Sequence, residues 1–179
     1  MVDREKLENI FQKHRFTDFK WINPAQIVVS QWVRMKCAYG CKSYGRIASC
    51  PPNVPSVPEC RSFIEEYTDA VVFHKTKSVP KPEDRHKWTK QVNLKLLEVE
   101  REVFIGGFPK AFLLFLDSCY LCDNCTGKRS DCKQPGTSRP SPEGMAIDVF
   151  STVRKIGYPI EVLSDYSQNM NRYAFLFIE

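Results

Sequence analysis

Seven of the eight cysteines in the chain fall into two groups whose spacing suits the binding of a metal centre. The later group is Cys119, Cys122 and Cys125, at strict three-residue intervals, followed by Cys132. Thiolates at this spacing can converge from one loop on a single inorganic centre. The group directly follows the apolar run 111–116, which predicts a buried strand and so a rigid base for the loop.

The three-residue spacing favours an iron-sulfur cluster over a zinc ion. A tetrahedral zinc ion usually takes two ligands from each of two separate turns, whereas a 4Fe-4S cluster presents several irons to one loop. The loop resembles the C-x2-C-x2-C run of bacterial ferredoxins, but six residues then separate Cys125 from Cys132, the candidate fourth ligand. A zinc site, and a disulfide or unligated thiols, are the alternatives for this loop.

The earlier group, Cys37, Cys41 and Cys50, lies in a loop that contains glycines and predicts a second 4Fe-4S cluster. Gly45 permits a turn with positive φ, and the proline after Cys50 resembles the proline that often follows a ferredoxin ligand. Zinc or a purely structural role are the alternatives here. The sequence also leaves open an exchange of ligands, in which Cys50 or Cys132 serves the cluster of the other loop.

Cys60 is the spare cysteine, and its role decides the chemistry of the first cluster. It falls on a predicted helix over 58–67, where it is either the fourth ligand or a small buried hydrophobe. If it is not a ligand, one iron keeps an open position and becomes a candidate reaction centre, as an open position does in catalytic zinc sites.

Two further side chains are candidate cofactor-binding residues. Ser141 as N-cap and Pro142 at the first position predict a helix to Ile156, whose N-terminus would lie near Cys132 and suit an anionic cluster. Arg139 could add charge-assisted contacts there, or pair with Glu143 or a chain carbonyl. A cleft at an open iron is expected to be lined by some of Lys42, Tyr44, Arg46 and Arg139, which makes Tyr44 the second candidate.

Composition bounds the class of protein. A chain of 179 residues predicts a single metal-binding domain over 1–179. It has no run of about 20 apolar residues, and its charged start lacks the apolar part of a signal peptide, so we expect a soluble, cytoplasmic protein without a membrane segment. In such a reducing compartment, cysteines are more naturally metal ligands than disulfides.

Charge argues against a nucleic-acid partner. The formal net charge is +5, but Lys and Arg are scattered and interleaved with acidic residues. Two cysteine-bound clusters, at about −2 each once the thiolates are counted, would offset most of this charge. The expected partner is a redox protein or a small-molecule substrate, and the sequence does not indicate an oligomeric state.

The elements that position the cysteine loops can be predicted from periodicity and caps. Helices are expected after Asp3, over 58–67, from Pro82 to the Gly106-Gly107 stop and over 142–156; strands are expected within 26–35, 70–76, 111–116, 160–163 and 173–178. The last two strands would form a hairpin joined by 164–172. This order predicts an α/β sandwich with a mixed sheet of about five strands, helices packed on it and two cysteine-rich metal loops. If the strands before the loops were parallel neighbours, both loops would meet at one sheet edge.

The chain as a whole resembles a family of small prokaryotic and archaeal cysteine-rich proteins described as predicted metal-binding. The matching residues are Cys37, Cys41, Tyr44-Gly45, Cys50-Pro51-Pro52, Cys119, Cys122, Cys125, Cys132, Arg139-Pro140-Ser141, Glu143 and Ile147-Asp148-Val149. The resemblance implies metal or iron-sulfur binding. Cys60 lies outside the family pattern, which implies three cysteine ligands at the first site.

Three functions are compatible with these residues. The first is an electron carrier with two 4Fe-4S clusters. The second is an enzyme or sulfur-handling protein that uses an open iron at the three-cysteine cluster. The third is a zinc-stabilised binding module, in which the metal only folds the loops. Metal content separates the third from the other two.

Overall fold

The structure is a computed structural model that describes residues 2–79, 81–165 and 168–179. The helices and strands of the described chain are, in order, α1 Arg4–Lys13, β1 Phe19–Ile22, α2 Gln31–Gly40, α3 Val57–Glu65, β2 Ala70–Lys77, α4 Pro82–Ile105, β3 Phe112–Leu114, α5 Val149–Lys155 and β4 Met170–Phe177. A 3₁₀ turn, Pro24–Gln26, separates β1 from α2. None of the helices in these ranges is both long and apolar enough to cross a membrane.

The described strands form one four-stranded sheet in the order β1-β2-β4-β3, and every neighbouring pair is antiparallel. The α/β class is confirmed, but the mixed sheet of about five strands is wrong. The C-terminal strand β4 inserts between β2 and β3, so these two parallel strands are never neighbours. The first cysteine loop follows helix α2 and not a strand, so the expected meeting of both cysteine loops at the edge of a parallel sheet does not apply.

The predicted terminal hairpin is also wrong. The run 160–163 forms no strand, and β4 pairs with β2 and β3 instead. Val162 is 85% exposed while Ile160 is buried, so this run has too little apolar contact to be held against the sheet. The predicted connection 164–172 includes residues 166 and 167, which lie outside the described residues.

Helices cover both faces of the sheet, because alternate residues of each strand point to opposite sides. On one face α1 and α4 pack on β2, β3 and β4; on the other, α3 and α5 do so. Residues 71 and 73 of β2 belong to the first core and residues 70 and 72 to the second. Two cores thus share one sheet, with β2 and β4 buried at its centre.

Local signals explain the helices that were predicted correctly. The Asp3 side chain accepts a hydrogen bond from the Lys6 N–H at 3.1 Å and so caps α1. Ser56 and Glu59 form a capping box at the start of α3. In α4 the predicted apolar stripe is confirmed, because Leu96, Val99 and Val103 are fully buried.

The predicted strand within 26–35 is wrong from Gln31 onward, where α2 begins. Only Val29 keeps extended pairing, as an isolated antiparallel bridge to Ile147. The β-branched residues that suggested a strand are satisfied in another way, since Ile27, Val29 and Val33 are all buried in a loop and a helix. Tertiary burial here outweighs local β propensity.

The predicted helix over 142–156 is wrong in its first half. The helix α5 begins at Val149, with Asp148 as its N-cap accepting a hydrogen bond from the Ser151 N–H at 3.0 Å. Residues 141–147 form turns, in which Ala146 has a φ of +59° and Ile147 joins the bridge to Val29. The Ser141 hydroxyl accepts the Gly144 N–H at 3.1 Å, a local turn that competes with a helix. No helix N-terminus therefore follows Cys132 directly.

Candidate metal centre

Four cysteines surround one small cavity and define the four-cysteine site. They are Cys119, Cys122, Cys125 and Cys132, in the loop that follows β3. Residues 47–49 of the first cysteine loop complete the wall of this cavity. The four cysteines of this loop thus line a common space.

The base of this loop is held by buried polar residues of α4. The Glu100 carboxylate accepts the Leu113 N–H at 2.8 Å, and the Asn93 side chain accepts the Leu116 N–H at 3.0 Å. Both side chains are buried, so these bonds are made without competition from water. Because β3 is an edge strand, α4 supplies acceptors that a further strand would otherwise provide. The strand leads into the cysteines from a fixed position.

The three-cysteine site is built at the end of α2. Cys37 lies in the last turn of that helix and Cys41 is its C-cap, so one helix end positions both side chains. The chain then turns at Gly45, which has a φ of +67° and donates its N–H to the Pro51 carbonyl at 2.8 Å. This turn returns Cys50, whose thiol is buried, towards the first two.

The thiols within each site influence one another electrostatically. Burial, together with the neighbouring Cys41 and Cys37, raises the pKa of Cys50 to about 12, although a hydrogen bond with Ser118 lowers it. Burial, then Cys41, also raises the pKa of Cys37, which the Arg34 guanidinium lowers. These thiols therefore hold their protons at neutral pH unless a cation binds the thiolates.

The four-cysteine site shows the same electrostatic coupling. The pKa of Cys122 is raised by burial and then by Cys119, Cys125 and Cys132, while Lys133 lowers it. All four thiols of this site thus influence the titration of Cys122. A bound metal cation would remove the mutual repulsion of their thiolates, which is the usual physical reason for gathering cysteines at one place.

The two cysteine loops interlock. The Ala48 N–H of the first loop donates to Cys125 Sγ at 3.3 Å, and the Asn53 side chain donates to the Gly127 carbonyl at 2.9 Å. Gly127 has a φ of +77°, and a Cβ there would lie only 3.0 Å from the Gly45 carbonyl oxygen. The loops are therefore in backbone contact, and the two sites are neighbours although the sheet is not parallel.

Cys60 lies away from both sites. It is 0% exposed in α3, and its thiol contacts the Pro55 carbonyl at 3.4 Å and Met145 Sδ at 3.9 Å. Burial raises its pKa, and the Arg34 guanidinium, 3.8 Å from the thiol, lowers it. The structure therefore places Cys60 as a small core residue.

The two candidate cofactor-binding residues take different positions. Arg139 forms a two-pronged ion pair with Glu100, with Nε to Oε1 and Nη2 to Oε2 both at 2.9 Å. Its Nη1 donates to the carbonyls of Gly136 and Ser138, so one predicted alternative, a contact with chain carbonyls, is observed. Tyr44 is 38% exposed in the first loop.

A cavity of about 270 Å³ adjoins the three-cysteine site. None of the four residues expected to line such a cleft lies in its wall, which is formed by Trp32, Val33, Lys36, Cys37, Cys41, Glu143, Ile147, Asp148, Val149 and Phe150. The difference arises because Cys37 lies on a helix, so its neighbours come from the helical face and from the turns before α5. The Ser141-Pro142-Glu143-Gly144 sequence carried the signal for such a turn, since Pro and Gly flank the glutamate.

The donor set suits a thiolate-bound metal centre by its chemistry, and not by the present distances between the side chains. All eight cysteines are free thiols, and the N–H donor from Ala48 to Cys125 is of the kind that stabilises a metal-bound thiolate. Within the residues that the structure describes, no three His, Cys, Asp or Glu side chains come together in a group that could hold a single metal ion.

Comparison with known proteins gives one result. No curated protein and no solved structure shows significant similarity to the chain. Residues 20–178, which include both cysteine sites, match the model of a protein family. The chain therefore belongs to the family described as predicted metal-binding protein (DUF2284).

Proposed function

We propose that the protein is an iron-sulfur protein that binds two 4Fe-4S clusters and transfers electrons. The four-cysteine site would hold one cluster through Cys119, Cys122, Cys125 and Cys132. The three-cysteine site would hold the other. Membership of a predicted metal-binding family, the free thiols and the spacing of the later cysteines support this proposal.

The contact between the loops is the observation that carries the electron-transfer part of the proposal. The Ala48 N–H that reaches Cys125 Sγ belongs to a residue only two positions before Cys50. One short backbone segment thus connects a candidate ligand of one site to a candidate ligand of the other. Two redox centres at such positions would exchange electrons readily, and a redox partner protein would deliver or remove them.

The chain's own residues would set the properties of the two sites. When bound, each cluster would supply one-electron redox chemistry. Arg34 near Cys37 and Lys133 near Cys122 favour the thiolate forms of these cysteines. The Ala48 N–H would stabilise the more negative, reduced state of the four-cysteine centre and so raise its reduction potential.

Anaerobic purification with iron, sulfide and zinc analysis tests this function. We expect about eight irons and eight sulfides per chain, and EPR signals of reduced 4Fe-4S clusters. The double variant Cys125→Ser/Cys132→Ser should lose about half of the iron, while the matched control Cys60→Ser should keep all of it. Stoichiometric zinc without sulfide would refute both clusters and favour a zinc-stabilised module.

A second candidate function is an enzyme or sulfur-handling protein that uses the three-cysteine site. The cavity beside Cys37 and Cys41 favours it, because about 270 Å³ is close to the lower end of the size range of small-molecule sites. Cyanide titration of the reduced protein tests this candidate. A change in the EPR signal of the three-cysteine cluster alone supports a displaceable position at that iron, and unchanged spectra contradict it.

A further inference from the structure

The two sites differ by one cysteine, and the structure leaves no spare thiol to complete the smaller one. A 4Fe-4S cluster has four irons, each of which takes one ligand from the protein or from solvent. At the three-cysteine site, Cys37, Cys41 and Cys50 account for three irons. Cys60 is enclosed by Pro55, Met145 and α3 in the hydrophobic core, so it cannot be the fourth donor without unfolding of that core.

Glu143 is the acidic residue placed beside this site. Its carbonyl oxygen lies 4.0 Å from Cys37 Sγ, so the start of its side chain is next to the helix end that carries the cysteines. Glu143 lines the same cavity as Cys37 and Cys41.

The Glu143 side chain shares a hydrogen bond with Ser141 but is not engaged in an ion pair. Arg139, the expected partner, pairs with Glu100, and across the described parts of the chain no Lys, Arg or His forms a salt bridge with Glu143. Two other acidic residues lie in this region. Asp148 lines the same cavity but caps α5 by accepting from the Ser151 N–H and hydroxyl, and Asp117 faces Arg85 at 3.3 Å and accepts the Ser118 N–H at 2.9 Å. Glu143 is therefore the acidic side chain beside this site that neither forms a salt bridge nor caps a helix.

The position of Glu143 is fixed by turns of its own segment. The Ser141 hydroxyl accepts the Gly144 N–H at 3.1 Å, and Arg34 of α2 donates to the Gly144 carbonyl at 3.1 Å. Since Arg34 lies one helical turn before Cys37, the same helix holds both the cysteine and the segment that carries the glutamate. This arrangement meets the need of a metal site for donors on supported elements.

We propose that the Glu143 carboxylate is the fourth donor of the centre held by Cys37, Cys41 and Cys50. The proposal rests on the proposed iron-sulfur function and deepens it. A carboxylate oxygen is an established ligand of iron and binds it less firmly than a thiolate in a cluster. The iron next to Glu143 would thus be held in the resting protein, yet could be exposed to a molecule in the adjoining cavity.

Iron lability measured by EPR tests the assignment. One-electron oxidation by ferricyanide converts [4Fe-4S]²⁺ to [3Fe-4S]⁺ with release of Fe²⁺, and the three-iron product has its own EPR signal. The full-length protein is purified anaerobically as wild type, Glu143→Gln, Glu143→Cys and the matched control Glu65→Gln, whose glutamate is exposed in α3. Circular dichroism and total iron confirm that each variant is folded and loaded.

The expected results follow from the strength of the fourth bond. Glu143→Gln should form the three-iron signal on the order of tenfold faster than wild type or more, by analogy with the loss of metal affinity when groups around a site are removed. Glu143→Cys should form it more slowly than wild type, and Glu65→Gln at the wild-type rate. Should Glu143→Gln not fold, the comparison of Glu143→Cys with wild type decides.

Two negative outcomes have separate meanings. Wild-type protein with about eight irons, in which both Glu143 variants lose iron at the wild-type rate, overturns the assignment of Glu143 and leaves the clusters in place. Wild-type protein without iron and sulfide at the three-cysteine site overturns the proposed function itself.

Discussion

Replacing Arg139 with methionine should lower the free energy of unfolding by about 2–4 kcal/mol. The Arg139 and Glu100 side chains are only 19% and 8% exposed and are joined by two bonds of 2.9 Å. Removing one partner of a buried pair costs about 3–5 kcal/mol because the other charge stays buried, and the partial exposure of Arg139 reduces this figure. Glu100 would keep only the Leu113 N–H as a partner.

Urea denaturation of the anaerobically purified protein measures this loss. For a chain of this length, about 3 kcal/mol corresponds to a fall in Tm of roughly 6–12 °C. The matched control is Lys110→Met, which removes an exposed pair with Glu179 at 3.9 Å, where the two side chains are 55% and 39% exposed. It should cost less than about 1 kcal/mol.

The same variant separates two roles of Arg139. A loss below 1 kcal/mol, together with a changed cluster spectrum, would refute the structural role and restore Arg139 as a cofactor-binding residue. The double variant Glu100→Gln/Arg139→Met should recover part of the stability, because no unpaired charge then remains buried. If the losses of stability of the two single variants simply add up in the double variant, this explanation is contradicted.

Three further predictions concern other parts of the molecule. Cys60→Ala should leave the iron content unchanged and lower the free energy of unfolding by about 1–2 kcal/mol, because it opens a small space in the core; loss of iron would restore Cys60 as a ligand. In the folded protein burial opposes ionisation of Asp18, but hydrogen bonds from His74 and Tyr158 outweigh it and lower the pKa of Asp18. The stabilisation from ionised Asp18 is therefore fully present above the unfolded pKa of about 3.9 and is lost as pH falls through the folded pKa. The stability difference between wild type and Asp18→Asn, followed by urea denaturation, should therefore shrink in acid, and a constant difference would contradict the shift. Removal of the metal should let trypsin cut at Lys128 and Arg129, because the surrounding segment has no helix or strand of its own to hold it; equal cleavage of loaded and metal-free protein would show that the loop is held by other means.

The helices α1, α3 and α4 could be predicted because their signals are local. Asp3, Ser56 and Glu59 cap helix starts through side chains only three residues from the groups they bind. The stripe of α4 reports a face buried by the sheet. Such features depend little on which other elements are nearby.

The errors share a physical cause, since each depends on a contact distant in sequence. The segment 26–35 was predicted as a strand from its β-branched residues, but Ile27 and Val29 are buried in one core cluster with α5 and the turns that precede it. The helix predicted from Ser141 is prevented by the bridge between Ile147 and Val29, more than a hundred residues away. The insertion of β4 between β2 and β3 likewise depends on long-range strand pairing, which the periodicity of the sequence does not predict.

The candidate site was predictable in its sulfur atoms and not in its walls. The spacing of Cys119, Cys122 and Cys125 is a property of one loop, and the structure gathers them around one cavity. The wall residues Glu143 and Ala48 come from other parts of the chain, and no local pattern indicates that Ala48 lies beside Cys125 or Glu143 beside Cys37. Only the fold reveals that they are neighbours of the thiols.

The hydrogen bond from Ala48 to Cys125 has a consequence for attempts to miniaturise the protein. A synthetic peptide that copies only the ferredoxin-like turn would carry the right sulfur atoms but lack the amide that arrives from 77 positions earlier in the chain. Such a peptide should assemble a centre with a lower reduction potential than the parent protein. Faithful imitation would require both turns, cross-linked in the register that the folded chain imposes.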